Sequence, residues 1–60
     1  MKQYTVEIHT TKGIDYLILD QETKPTRGDV EALFELYKND EAGENLKGAK
    51  LLSWQIISED

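Results

Sequence analysis

The apolar residues of this chain change their spacing twice within 60 positions, and that double change restricts the fold more than any other feature. Between Gln3 and Thr10 they alternate, with Tyr4, Val6 and Ile8 on one side and Thr5, Glu7 and His9 on the other. Period two describes a half-buried strand. From Arg27 to about Asp40 the period becomes helical: Val30, Leu33, Phe34 and Tyr37 fall at i, i+3, i+4 and i+7 and make one apolar stripe. Ala32 and Leu36 flank it, while Glu31, Glu35 and Lys38 face outward. From Ala49 to Ser58 alternation returns, with Leu52, Trp54 and Ile56 on one face and Leu51, Ser53, Gln55 and Ile57 on the other. With a second strand over Ile14 to Asp20, residues 1–60 are expected to form a single α+β domain of order ββαβ. It is a β-hairpin, one helix packed on one face of a small sheet, and a third strand.

The punctuation between these elements has physical content. Thr11-Lys12-Gly13 suits a three-residue hairpin loop, whose last position turns left-handed and favours glycine. That loop pairs Thr10 with Ile14, Ile8 with Tyr16 and Val6 with Ile18, and places Tyr16 and Ile18 under the helix. A two-residue loop at Lys12-Gly13 is the rival, and it would bring Leu17 and Leu19 to the core instead. The expectation taken is the three-residue loop. Gln21 to Pro25 is a polar connection. Thr26 has the chemistry of a helix N-cap, with Asp29 three residues on as the capping-box acid. Gly43 is the expected C-terminal glycine, followed by a loop over Glu44 to Gly48. Two strand orders fit the pattern: the third strand beside the first and antiparallel, or beside the second and parallel to it.

Strands two and three are apolar on both faces, yet one helix covers only one face of a sheet. With Tyr16, Ile18, Trp54 and Ile56 beneath it, Leu17, Leu19, Leu51 and Ile57 are expected to point away. Such a group, where contiguous, calls for a covering surface. A homodimer or a partner protein would supply it, unless Leu46 or the helix edge folds over.

Charge narrows the partner. Twelve acidic residues against seven basic ones leave a net charge of −5. That balance disfavours direct binding to nucleic acid or an anionic membrane, which needs clustered Lys and Arg. It favours a basic protein surface, such as that of a nucleic-acid-binding enzyme. The chain has no cysteine, so it carries neither a disulfide nor a thiolate metal site. No apolar run follows Met1 to Tyr4, and the longest, Tyr16 to Leu19, is too short to span a bilayer. A cytoplasmic location is the expectation.

Catalytic chemistry is sparse. His9 shares the polar face of its strand with Glu7, but zinc sites need three or four ligands and no further cluster is visible. No serine or threonine has an evident base partner. The four glycines are scattered at element ends and build no phosphate loop. Arg27-Gly28-Asp29 spells an adhesion tripeptide, but it falls in the first turn of the helix. The chain is therefore expected to be no enzyme and to take no cofactor or metal.

The helix stretch Phe34-Glu35-Leu36-Tyr37-Lys38-Asn39, the acidity and the order hairpin–helix–strand resemble the very small phage-encoded inhibitors of uracil-DNA glycosylase. That resemblance implies a dimeric acidic protein that occupies the DNA-binding cleft of its target. Phe34-x-x-Tyr37-x-Asn39-Asp40 is also similar to the helix of streptococcal immunoglobulin-binding domains, and no functional residue is carried over from either family. The resulting expectation is a small acidic, non-enzymatic module, a homodimer, that binds another protein; in its sharper form it inhibits a DNA-handling enzyme by mimicking nucleic acid. Glu7, Asp15, Glu31 and Glu35 are its acidic candidates and Leu17, Leu19, Leu51 and Ile57 its apolar ones. The alternatives are an accessory or structural subunit docking through the apolar sheet face and, last in order, an enzyme fragment or metal-dependent protein using His9.

Overall fold

A computed structural model describes residues 2–60. Strand β1 spans Lys2–Thr10, β2 Gly13–Gln21 and β3 Leu51–Glu59. Helix α1 spans Arg27–Lys38, and a 3-10 segment follows over Glu41–Leu46. The strand order is β2-β1-β3, with both pairs antiparallel, so β1 is central and β2 and β3 form the two edges. This is the ββαβ architecture expected from the pattern, with the third strand beside the first.

The hairpin turns more tightly than expected. Thr10 pairs with Gly13, which leaves a two-residue turn of Thr11 and Lys12. The Thr10 hydroxyl closes it, donating to the Gly13 carbonyl at 2.8 Å and accepting the Lys12 N–H at 3.0 Å. Gly13, with φ +120°, is the first residue of β2 and not the end of a longer loop. The turn is then tied to the start of β3: Thr11 N–H donates to the Lys50 carbonyl and Lys50 N–H to the Thr11 hydroxyl, both at 3.0 Å.

That one-residue difference moves every β2 side chain to the other face. Val6 pairs with Leu17, Tyr4 with Leu19 and Ile8 with Asp15. Leu17 and Leu19 are therefore core residues, while Tyr16 and Ile18, expected beneath the helix, are exposed. Leu51, also expected on the uncovered face, lies half-buried against the core. Of the four apolar residues expected to point away, only Ile57 is exposed; it sits unpaired between Ile56 and Ser58, where β3 slips in register against β1. Hydrophobic pattern could not choose between the registers, because both faces of β2 are apolar. Turn chemistry chose.

Helix α1 starts where the cap residues require. Asp29 N–H donates to the Thr26 hydroxyl at 3.3 Å, and Thr26 N–H donates to Asp29 Oδ2 at 3.0 Å, the reciprocal pair of a capping box. The helix buries Val30 and Phe34 and half-buries Leu33 and Tyr37. Its C-terminal cap is Asn39, not a glycine. Gly43 has another role: a methyl group there would collide with the Tyr37 carbonyl. The missing side chain lets the 3-10 segment fold tightly against the end of α1 and carry Leu46 into the core. The buried cluster is Val6, Ile8, Leu17, Leu19, Val30, Phe34, Leu46 and Ala49. No buried side-chain nitrogen or oxygen lacks a hydrogen-bond partner among the described residues.

Three consequences can be measured. Leu17→Ala should destabilise the protein by about 2–5 kcal/mol, as expected for a cavity in a packed core. Ile18→Thr should stay within about 0.5 kcal/mol; denaturant unfolding that reverses this ranking would restore the three-residue hairpin loop. Gly43→Ala should cost about 1–3 kcal/mol by overpacking, seen as a lowered midpoint in thermal unfolding. The Asp29 carboxyl is held below its ordinary value of 3.8, chiefly by the Thr26 N–H, then by the Gln21 amide and the Thr26 hydroxyl. A depressed folded-state value means the stabilisation is complete above the ordinary carboxylate range and is lost as pH falls through the folded-state value. The stabilities of wild type and Asp29→Asn, followed by denaturant unfolding against pH, should therefore converge on acidification.

Candidate protein-binding surface

Among the described residues, strand β2 has no neighbour on its outer side. On the sheet face that α1 leaves uncovered, β2 presents Ile14, Tyr16 and Ile18, which are 59%, 50% and 56% exposed. The paired residues beside them on that face are polar: Thr5, Glu7 and His9 on β1, with Ser58, Gln55 and Ser53 opposite them on β3. A Glu7 carboxylate oxygen lies 2.7 Å from His9 Nε2 and accepts from the Gln55 amide at 3.3 Å. The exposed large apolar residues of the sheet are thus Ile14, Tyr16 and Ile18 in a row on β2, with Leu52 and Ile57 apart from one another on β3.

The β2 row continues around the free edge onto the helix. A shallow groove between β2 and α1 is lined at one end by Tyr16, Leu17, Ile18, Leu33 and Tyr37. At the other end Ile18, Leu19, Ala32, Leu33 and Leu36 line it, with Asp20 and Asp29. Ile18 and Leu33 belong to both ends, so the apolar lining is continuous. Leu36 is 71% exposed on the helix flank. One band of apolar side chains therefore wraps from the uncovered sheet face, over the strand edge, to the helix. Contiguous bands of this kind mark interaction sites, whereas scattered exposed leucines do not.

The backbone at the same edge is open. Thr10 and Gly13 close a two-residue turn and therefore exchange hydrogen bonds, so the odd residues of β2 bond to β1. The even residues, Ile14, Tyr16, Ile18 and Asp20, turn their N–H and C=O groups to the free edge. Asp15 Oδ1 accepts the Tyr16 N–H at 2.8 Å and closes that donor. The opposite edge is less regular: the β1–β3 ladder slips in register twice, and such bulges blunt an edge against pairing.

The acidic candidates are not brought together. Glu7 lies in the middle of the uncovered face. Asp15 lies on the helix side of β2, paired with Ile8. Glu31 and Glu35 project from α1, where Glu31 pairs with Arg27 at 2.7 Å and Glu35 with Lys38 at 3.0 Å. These are three separate aspects of the molecule. Ile14, Tyr16, Ile18, Leu33 and Leu36 make the surface that sequence reasoning did not single out. The signal for it was the two-faced apolar character of β2, which leaves one set of side chains outside in any register.

The remaining motifs are absorbed by the fold. Arg27 is paired with Glu31 and the Asp29 carboxylate is engaged in the cap, so the adhesion-like tripeptide serves its own helix. No group of three or more His, Asp or Glu side chains able to hold a metal occurs among the described residues. None of the described helices is long and apolar enough to cross a membrane. Comparison with protein-family models, curated proteins and solved structures finds no match. Function must therefore be read from the surface itself.

Proposed function

We propose that this chain is a small acidic protein-binding module, non-enzymatic, which docks through the apolar band on β2 and the adjoining flank of α1. The observation that carries this reading is the continuity of Tyr16 and Ile18 with Leu33 and Leu36 across an open strand edge. Burying such a band gives the non-directional part of the binding energy, in proportion to the apolar area removed from water. The net charge of −5 acts at longer range. It draws the chain towards a basic partner and speeds encounter more than it strengthens the complex.

Inhibition of a nucleic-acid-handling enzyme is compatible with this division of labour. Its sharper form, in which carboxylates imitate phosphates, asks for several acids on one surface. Glu7, Asp15 and the Glu31–Glu35 pair lie on different aspects, and the helix pair is already matched by Arg27 and Lys38. Apolar docking is the reading we favour over mimicry.

Affinity capture from lysate separates the two. Wild type is compared with an Ile18→Lys/Leu36→Lys double variant and with a Glu31→Gln/Glu35→Gln double variant, at low and high salt. Apolar docking predicts a captured protein that survives high salt, is lost from the first variant and is retained by the second. Capture that collapses with salt and with the glutamate substitutions would establish mimicry instead. A capture profile that the Ile18→Lys/Leu36→Lys change leaves intact would remove this surface from consideration.

A further inference from the structure

We infer that the open edge of β2 receives an extended segment of another protein as a fourth strand, apolar at its centre and carrying Lys or Arg at its ends. This inference rests on the docking surface proposed above and adds its mode of binding and the chemistry of its partner.

Three features of the edge point this way. First, Ile18 and Asp20 turn both backbone groups outward, and the β1–β2 ladder runs from Lys2↔Gln21 to Thr10↔Gly13 without a register shift. A regular, unbulged edge is a template for strand addition, in which main-chain hydrogen bonds supply affinity and flanking pockets supply specificity. Second, the edge has an apolar wall on each side. Residues of an added strand that point to the uncovered face would meet Tyr16 and Ile18, and those that point to the helix side would meet Leu33 and Leu36. The centre of the incoming segment is therefore apolar on both of its faces. Third, the ends are acidic. Asp15 stands at one end of the open stretch and Asp20 and Asp29 at the other, while no Lys or Arg lines the groove. Cationic side chains at both ends of a segment of about seven residues match that spacing.

A second copy of the chain fits less well. It would present the same acids to the same groove and gather two net charges of −5 about one sheet. Like charges across paired strands are destabilising, whereas a basic-ended segment is complementary. Asp15 also explains how the edge stays available: by accepting the Tyr16 N–H it satisfies one exposed donor until a partner carbonyl replaces it. A charged residue on the inward face of an edge strand is a known protection against indiscriminate pairing.

The test uses the full chain and two end-blocked synthetic peptides. Both share a core of valine, isoleucine and threonine; one is flanked by Lys-Arg at each end, the other by Glu-Glu. Amide hydrogen exchange is followed by NMR during titration. Strand addition predicts that the basic-ended peptide slows exchange at the Ile18 and Asp20 amides by about tenfold or more. It also predicts that the basic-ended peptide binds at least about tenfold more tightly than the acidic-ended one. Ile18→Pro, which removes an outward N–H, should abolish the effect. Leu36→Lys, at an exposed helix position, should weaken it without depending on the fold tolerating proline. Peptide binding that shifts Tyr16, Leu33 and Leu36 resonances but leaves the two amides unprotected would overturn strand addition and keep the docking surface. Equal binding of the two peptides would overturn the partner chemistry. Binding of neither, with lysate capture still dependent on Ile18 and Leu36, would overturn this inference alone. Concentration-dependent protection of the same amides without peptide would assign the edge to a second copy.

Discussion

Which face of β2 meets the core follows from the length of the hairpin turn. The Thr10 side chain braces its two-residue form, donating to the Gly13 carbonyl and accepting the Lys12 N–H. The register of the β1–β2 ladder follows from that turn. Leu17 and Leu19 go inward to meet Val6 and Phe34, and Ile14, Tyr16 and Ile18 go outward. Because strand side chains repeat with period two, no intermediate arrangement exists. The candidate binding surface is the direct residue of this choice: it consists of what the core did not take from a strand that is apolar on both sides.

A second constraint acts at the far end of the helix. The core of a chain this small is thin, and one helix over three strands leaves it open at the corners. The 3-10 segment closes one corner with Leu46, and it can do so only because Gly43 lies against the Tyr37 carbonyl without a side chain. Lys38 helps on the same side, where its ammonium group reaches the Ala49 carbonyl at 3.2 Å and lies 5.2 Å from the centre of the Phe34 ring. Among the described residues, no comparable segment covers the flank beside β2. There Leu33, Leu36 and the strand edge stay open, and the molecule acquires a sided character.

The polar and charged groups refine that picture. Glu7, His9 and Gln55 form a hydrogen-bonded strip along the middle of the uncovered sheet face. Removing such groups from water without new partners is costly, so the strip disfavours docking over the whole face. Binding is directed to the β2 side, where the apolar band, the open backbone and the acidic ends coincide. Net charge sets what kind of partner approaches, and the band sets where it can stay.

From sequence alone one can read the three strand-like segments, the helix and its Thr26–Asp29 cap, because each rests on local periodicity or on contacts within a single turn. The need for a covering surface was also legible, since two strands apolar on both faces exceed what one helix can bury. The identity of the uncovered residues was not. Leu17, Leu19 and Leu51 looked as suitable for the outside as Tyr16 and Ile18, because hydrophobicity does not distinguish two equally apolar faces. The turn at Thr10 is itself local, and the sequence allowed two lengths for it; the register followed from the two-residue one. Two things were set only by the tertiary structure. The position of β3 beside β1 left β2 as an edge. The packing of α1 brought Leu33 and Leu36, distant from β2 in sequence, alongside Ile18. Each joins residues that local propensity cannot connect, which is why the binding surface belongs to the fold and not to any one segment of the chain.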